Sequence, residues 1–385
     1  MPGLVAPEVP HYIPAPPTQA ELEYADLPII DLAKSASPAG RQALAQEARD
    51  AMTTHGFFYV INHGYSPQQT ERIFDIADLP FSKVNEEEKQ IYAGTMKQTG
   101  SYQGYKLRQY WHIDGGVRDQ VENYNINRDI TKRQHPEALR PFLPEIEKFA
   151  RHNHENVLHP ILRLLAIGME LPEDAFVNMH GYSSVGETYG KSCGLLTSSS
   201  LHEVPSALTG GRGADKERLV ERTYWYLFIG YFGTITILYS QPVAALQILA
   251  RDGTWKWVRH IENALVINAG DSLEFLSGGC YKATIHRVRI VSRVVQPPSD
   301  QRNYTRLGVF YFAMTDDDVV LGPLLESPVL QRVGVTRTFD GTKPPTQEEW
   351  RKGRTAAYGQ TELKAGAEKD TEEEMINGVL VKHYN

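Results

Sequence analysis

The run TITILYS (Thr234 to Ser240) decides the fold, together with the segments that follow it: ALQIL (Ala245 to Leu249), TWKWV (Thr254 to Val258), ALVINAGD (Ala264 to Asp271), ATIHRVRIV (Ala283 to Val291) and RLGVFYFAM (Arg306 to Met314). TITILYS opens in strict alternation, β-branched and aromatic residues dominate, and Asp252-Gly253 supplies a turn into TWKWV. Short strands at this spacing predict a sandwich or barrel. The same region holds a charge-free stretch, Tyr224 to Ala250, long enough to imitate a transmembrane helix. Gly230, Gly233, Thr234, Thr236 and the pair Gln241-Pro242 interrupt it, so it reads as two buried strands joined by a turn.

Towards the N-terminus the pattern changes. The first residues, MPGLVAPEVPHYIPAPP, are proline-rich and read as an extended arm over 1–26. LPIIDL (Leu27 to Leu32) is a short apolar strand. Ser37-Pro38 offers an N-cap and a first-turn proline, and Leu44, Ala48 and Met52 give the helix that follows one apolar stripe, ending at His55-Gly56. FFYVINHG (Phe57 to Gly64) is a buried strand, Ser66-Pro67 repeats the start signal, and Ile73, Ala77 and Pro80 mark a second helix and its end. Ile146, Ala150, Asn153, Val157, Ile161, Leu164 and Gly168 step by three and four along a longer helix, with a kink expected at Pro160. The plan is therefore an α/β region over 27–190, a long surface loop over 191–215 (Ser192 to Asp215), a β core over 216–320 and a charged tail over 321–385 with a surface helix and an extended end.

Composition narrows the function. A net charge of −7 over 385 residues leaves no basic field for nucleic acid or anionic lipid. Two cysteines, Cys193 and Cys280, exclude a disulfide framework and any multi-cysteine metal site. The N-terminus lacks a signal-peptide pattern, so a cytoplasmic location is expected, with no membrane partner.

Several motifs now fall in one order: Leu27-Pro-Ile-Ile-Asp-Leu, His55-Gly-Phe-Phe, Phe232-Gly233-Thr234, Leu246-Gln247, Asn268-Ala269-Gly270-Asp271, Thr284-Ile285-His286-Arg287-Val288 and Arg306-Leu307-Gly308-Val309-Phe310-Tyr311-Phe312. Together they resemble the iron(II)/2-oxoglutarate-dependent oxygenases of the isopenicillin-N-synthase-like superfamily, over roughly residues 25–330, with a tail similar to fungal members. The resemblance implies a mainly β fold: a double-stranded β-helix (jelly roll) core with flanking helices. It also implies a facial triad of two histidines and a carboxylate on one face of iron.

In that family the first two ligands form His-x-Asp just before Phe-Gly-Thr. Here the two positions hold Ile229 and Tyr231, and only the third ligand, His286, is kept. Isoleucine has no lone pair, and a neutral phenol is a poor ligand for ferrous ion, so this chain is expected to bind no metal. His112-Ile113-Asp114 spells the motif but lies too far upstream of His286 to match the family spacing. His202-Glu203 reads as a solvated polar pair of the long loop. His286 reads as a buried histidine satisfied by a neighbour such as Tyr231. Arg306 matches the arginine that holds the distal carboxylate of 2-oxoglutarate, although Gly308 stands where a serine is frequent. Asn268 to Asp271 reads as turn chemistry, Asp271 being an acceptor and not a catalyst.

The expected function is a non-catalytic subunit. It pairs as a heterodimer with an active paralogue that carries iron(II) and 2-oxoglutarate and oxidises a terpenoid or meroterpenoid intermediate. The proline-rich arm and the long loop are candidate contact surfaces, and Arg306 is the one position where a residual 2-oxoglutarate contact is expected. The alternative is an iron-independent isomerase, cyclase or dehydratase using Tyr231, His286 and Arg306 in the jelly-roll pocket. A third reading is an active oxygenase with an unusual ligand set.

Overall fold

Strands whose residues are buried at every position need cover on both faces, and the computed structural model supplies it. It describes residues 7–108, 110, 112–114, 117–118, 121–196, 233–288, 298–301, 304–336, 343–357, 364–365 and 371–384. In chain order the strands are β1 (Ile29–Asp31), β2 (Phe57–Ile61), β3 (Gly104–Lys106), β4 (His112–Asp114), β5 (Val117–Arg118), β6 (Val121–Asn127), β7 (Tyr189–Leu196), β8 (Ile235–Tyr239), β9 (Leu246–Leu249), β10 (Trp255–Trp257), β11 (Leu265–Ala269), β12 (His286–Val288) and β13 (Thr305–Ala313), with β14 (Lys364–Ala365), β15 (Thr371–Ile376) and β16 (Val379–Tyr384) in the tail. An eight-stranded sheet runs β1-β2-β11-β8-β13-β7-β6-β3, and a three-stranded sheet runs β10-β9-β12. The edges of Phe57 and His286 meet across the space between them, with ring centroids 5.3 Å apart. This is the double-stranded β-helix that the motifs implied.

Register sorts the side chains of the large sheet. Phe312 pairs with Thr236 and Tyr189, Thr236 with Asn268, and Asn268 with Phe57. These residues share the inner face, as do Arg306, Gly308 and Phe310, because side chains alternate along a strand. Leu307, Val309, Tyr311, Ile235 and Ile237 face the other way, into the main apolar core with Val157, Ile161 and Leu164.

Helices cover that outer face: α1 (Pro38–Thr54), α2 (Pro67–Ser82), α3 (Leu143–His152) and α4 (His159–Gly168). Ser37 caps α1 by accepting from Gly40 N, and Leu44, Ala45, Ala48, Ala51 and Met52 are its buried stripe. Gly56 ends it at φ +67°, where a Cβ would lie 2.2 Å from the Lys282 carbonyl, so glycine is required. A capping box between Ser66 and Gln69 starts α2, which continues through Pro80 to Ser82, two residues beyond its expected end.

The long helix shows no simple bend at Pro160. The turn before it, Asn153–Leu158, widens to π geometry. Pro160 has no N–H to close the ordinary helical bond, and the wider turn aims adjacent side chains at the same sheet. Asn153 accepts from Tyr239 Oη at 3.3 Å, and His154 Nδ1 lies 2.9 Å from Tyr311 Oη.

Four further expectations need correction. The loop expected from Ser192 begins later, because Tyr189–Leu196 is β7, paired on one side with β6 and on the other with β13. Two glycines and a serine read as a loop locally, and ladders on both flanks override them; 197–215, including His202 and Glu203, lie outside the described residues. The apolar strand expected over Leu27 to Leu32 is shorter, since Leu32–Ala36 already turns as a 3₁₀ helix with Asp31 as its cap. Asn268 lies inside β11, and Asp271 opens the short helix α5 (Asp271–Leu276), 3.8 Å from Arg354 Nε, so the pair is strand and helix start and not turn. The tail helix, α6 (Gln347–Ala357), is no surface element on its inner side: Trp350 is 1% exposed and packs edge-on against Phe275. After it, β15 and β16 form a hairpin.

The arm is extended, as its prolines require, but it lies on its own chain. Ala15 is buried, Gln301 Nε2 donates to the carbonyls of Pro16 and Pro242, Asp300 accepts from Thr18 and from Gln19 N, and Tyr12 N donates to Asp75. Among the described residues, no helix is long and apolar enough to cross a membrane.

Candidate functional site

The lumen between the two sheets is polar where an ordinary core would be oily. On β6 and β7, Asn123, Asn125, Asn127 and Lys191 share the inner face, and all are buried. Asn125 donates its amide to the Tyr102 carbonyl, which leaves its Oδ1 buried and unbonded. Asn123 Oδ1 and Thr236 Oγ1 are in the same condition. Phe310 stacks on Phe312 and Phe312 on Tyr189, and Lys191 Nζ lies 5.3 Å from the Phe312 ring centroid. Each unpaired polar atom in such a place carries a desolvation cost, unless water or a ligand meets it.

Arg306 is the sharpest case. It is the second residue of β13, on the inner face, is 4% exposed, and its Nε is buried with no hydrogen-bond partner among the described residues. Among the described residues no carboxylate pairs with it; the electrostatic neighbours are the Cys193 thiol and the Tyr12 phenol. Burial therefore pushes the guanidinium below its ordinary value. The phenol is held beside the strand by the arm, its hydroxyl donating to the Thr305 carbonyl at 3.2 Å. Arg306 borders a small recess lined also by Leu238, Ser240, Leu246, Arg259 and His260. A guanidinium with no carboxylate partner among the described residues is chemically suited to a carboxylate ligand.

Gly308, two residues on, is glycine for a reason visible here. A Cβ at 308 would lie 2.5 Å from the Phe310 ring and 3.5 Å from Arg306 Nη1. The aromatic ring fills the space in which a side chain of residue 308 would sit.

His286 stands on β12 against Phe57. Its Nδ1–H donates to the Thr284 carbonyl at 2.9 Å, and burial holds the ring below its ordinary pKa, so it is neutral with the lone pair on Nε2. That is the tautomer a metal-binding histidine adopts, its other nitrogen tied to a carbonyl. The neighbour tying it is Thr284. Tyr231, expected in that role, lies outside the described residues, as does Ile229. His112 and Asp114 fall on β4, which among the described residues pairs only with β5, in a sheet separate from the one that carries His286.

Of the residues that the motifs singled out, Arg306 and Gly308 thus share the inner face of β13, and His286 stands on β12 of the facing sheet. The motifs missed Tyr12, Ser240, His260 and the asparagine row. The alternation of β6, Val-Glu-Asn-Tyr-Asn-Ile-Asn, was the one available signal for that row: asparagine at every second position of a strand marks a polar inner face.

Comparison with known proteins agrees with this architecture. Residues 27–145 match the family model described as non-haem dioxygenase in morphine synthesis N-terminal, and residues 232–299 match the 2OG-Fe(II) oxygenase superfamily. The second match begins one residue after Tyr231. Scopoletin 8-hydroxylase of Arabidopsis thaliana is 26% identical over 326 residues, 83% of this chain and 79% of its own. Gibberellin 20 oxidase 5 of the same plant is 24% identical, over 89% of this chain and 82% of its own. Among solved structures, a full-length Neurospora crassa protein crystallised in complex with alpha-KG and thymine superposes with a TM-score of 0.67 at 19% identity, over 88% of this chain and 99% of that one.

Proposed function

We propose, for a chain that two family models and its fold support as a member of the 2OG-Fe(II) oxygenase superfamily, that it is a non-catalytic subunit of an oxygenase pair. The observation that carries the reading is the donor set. By the motif, Ile229 and Tyr231 stand where the first two ligands are expected, and His286, the third, keeps the ligand tautomer. One imidazole without a second histidine and a carboxylate does not fit a ferrous ion of this family, and no iron chemistry is assigned to this chain. Arg306, by contrast, fits one carboxylate of 2-oxoglutarate or of a related acid, and would hold and orient it.

The oxidising chemistry then belongs to an active paralogue with intact ligands, iron(II) and 2-oxoglutarate. The joint reaction is oxidation of a terpenoid or meroterpenoid intermediate, this chain stabilising its partner and shaping the entrance to its pocket. The expected contact surface shifts away from the arm, whose residues from Pro7 onward are engaged with their own chain.

Anaerobic reconstitution with iron(II) and 2-oxoglutarate tests this. The chain alone should retain no iron above background, while a paralogue with intact ligands fills its site, and the two should elute together. Near one iron per chain overturns the reading. So does a paralogue that elutes separately and is fully soluble and active alone.

A further inference from the structure

Gly308 leaves a space beside which two chemically active groups meet. It pairs with Cys193 across β13 and β7, and directly opposite residues point to the same side of a sheet. Cys193 therefore stands on the inner face with Arg306. Arg306 Nη1 lies 3.5 Å from where a Cβ of residue 308 would be, and opposite Cβ positions are about 4.5–5.5 Å apart. The thiol is thus seated beside the guanidinium, and the two groups interact electrostatically. We propose that Cys193 is a redox-sensitive modification site, a thiol that Arg306 activates towards hydrogen peroxide.

The arginine is what separates this cysteine from an inert buried one. It is 4% exposed, and its Nε finds no hydrogen-bond partner among the described residues, so an anion formed beside it is favoured. Two weak acids face it, the Cys193 thiol and the Tyr12 phenol. Ordinary thiols ionise near about pH 8.5 and phenols near about pH 10. Tyr12 Oη also donates to the Thr305 carbonyl, and burial pushes the phenol higher still. The guanidinium therefore raises the thiolate share of Cys193 first. Lys191, two residues earlier on the same face, adds a second positive charge, its Nζ 5.9 Å from the Phe310 ring centroid. Asn123, opposite Cys193 on β6, is neutral. Cys193 is 8% exposed, an opening suited to a small reagent. Its thiolate sulfur attacks one peroxide oxygen; the S–O bond forms as the O–O bond breaks, and the departing hydroxide takes up a proton to become water. Sulfur loses the two electrons that the peroxide gains, and the sulfenic acid is left beside the guanidinium. The step requires no ligand at Arg306.

Cys280 is the internal reference, being the other cysteine of the chain and the more exposed of the two. The full chain is treated with hydrogen peroxide, remaining thiols are capped with iodoacetamide after unfolding, and peptide mass spectrometry follows each cysteine. If exposure governed the rates, Cys280 would react first. Cys193 should instead oxidise about tenfold faster or more at pH 7, and its rate should fall away at a lower pH than that of Cys280. Arg306→Met should slow Cys193 about tenfold, one pH unit of thiolate share, and leave Cys280 unchanged. Arg306→Lys keeps the charge and should stay within about threefold of wild type. The proposal falls if Cys280 reacts first, if Arg306→Met leaves the Cys193 rate as it was, or if Cys193 reacts only in urea. Should Arg306→Met not fold, the wild-type pH profiles decide, and coincident profiles for the two cysteines overturn the assignment.

Discussion

On the helix side of the eight-stranded sheet, one chain of buried polar groups is bonded end to end. Tyr311 Oη donates to His154 Nδ1, His154 Nε2 donates to the His180 carbonyl, and His180 bridges the Phe176 carbonyl and the Thr234 hydroxyl, at 2.7–2.9 Å throughout. On the lumen side of the same strands, Asn123, Asn125, Thr236 and Arg306 are also buried and keep atoms without partners among the described residues. In the Tyr311–His154–His180 chain folding has made the hydrogen bonds, whereas these inner-face atoms find none among the described residues. A single sheet can therefore be a core on one side and a receptor on the other, and the difference lies in which polar atoms are satisfied, not in how buried they are.

Acid should break the contrast most strongly, through the outer face. Burial lowers His180 to about 4 and His154 to about 3, against an ordinary value near 6.5. Both are depressed in the folded state, so their contribution is complete above about pH 6.5 and is lost as pH falls towards the folded values. Each histidine adds a slope approaching about 1.4 kcal/mol per pH unit within that window. Urea unfolding at pH 7 and pH 5 should show a loss of a few kcal/mol, and the paired change His154→Gln, His180→Asn should flatten it. An unchanged slope in that variant would mean that these histidines are not the buried neutral groups described.

The inner face should respond in the opposite sense. Arg306→Met removes a buried charge with no counter-ion and should stabilise the ligand-free protein by roughly 1–3 kcal/mol. The melting temperature would show this in the same variant that loses carboxylate binding. A clear drop in stability would show that the guanidinium has a structural partner after all. Thr236→Val is the gentlest test. It preserves shape and deletes one unsatisfied hydroxyl, so the change should fall between zero and about 1 kcal/mol of added stability, whereas loss of more than that would place a structural bond on Thr236.

The strands around TITILYS were legible because alternation is a local property, and His286 and Arg306 because family motifs mark single positions. β7 was not, since Tyr-Gly-Lys-Ser-Cys-Gly-Leu-Leu becomes a strand only through β6 and β13, and neither pairing leaves a trace in its own composition. The widened turn at Asn153–Leu158 was visible only as a proline two residues beyond it.

The seated arm has a consequence for synthesis. Tyr12 bonds to the Thr305 carbonyl, 293 residues later in the chain. At about 5–20 residues per second, roughly fifteen seconds to a minute pass between the emergence of the two. A segment made long before Thr305 is thus among the last to find its place, closing as a clasp over a barrel whose final strand must form first.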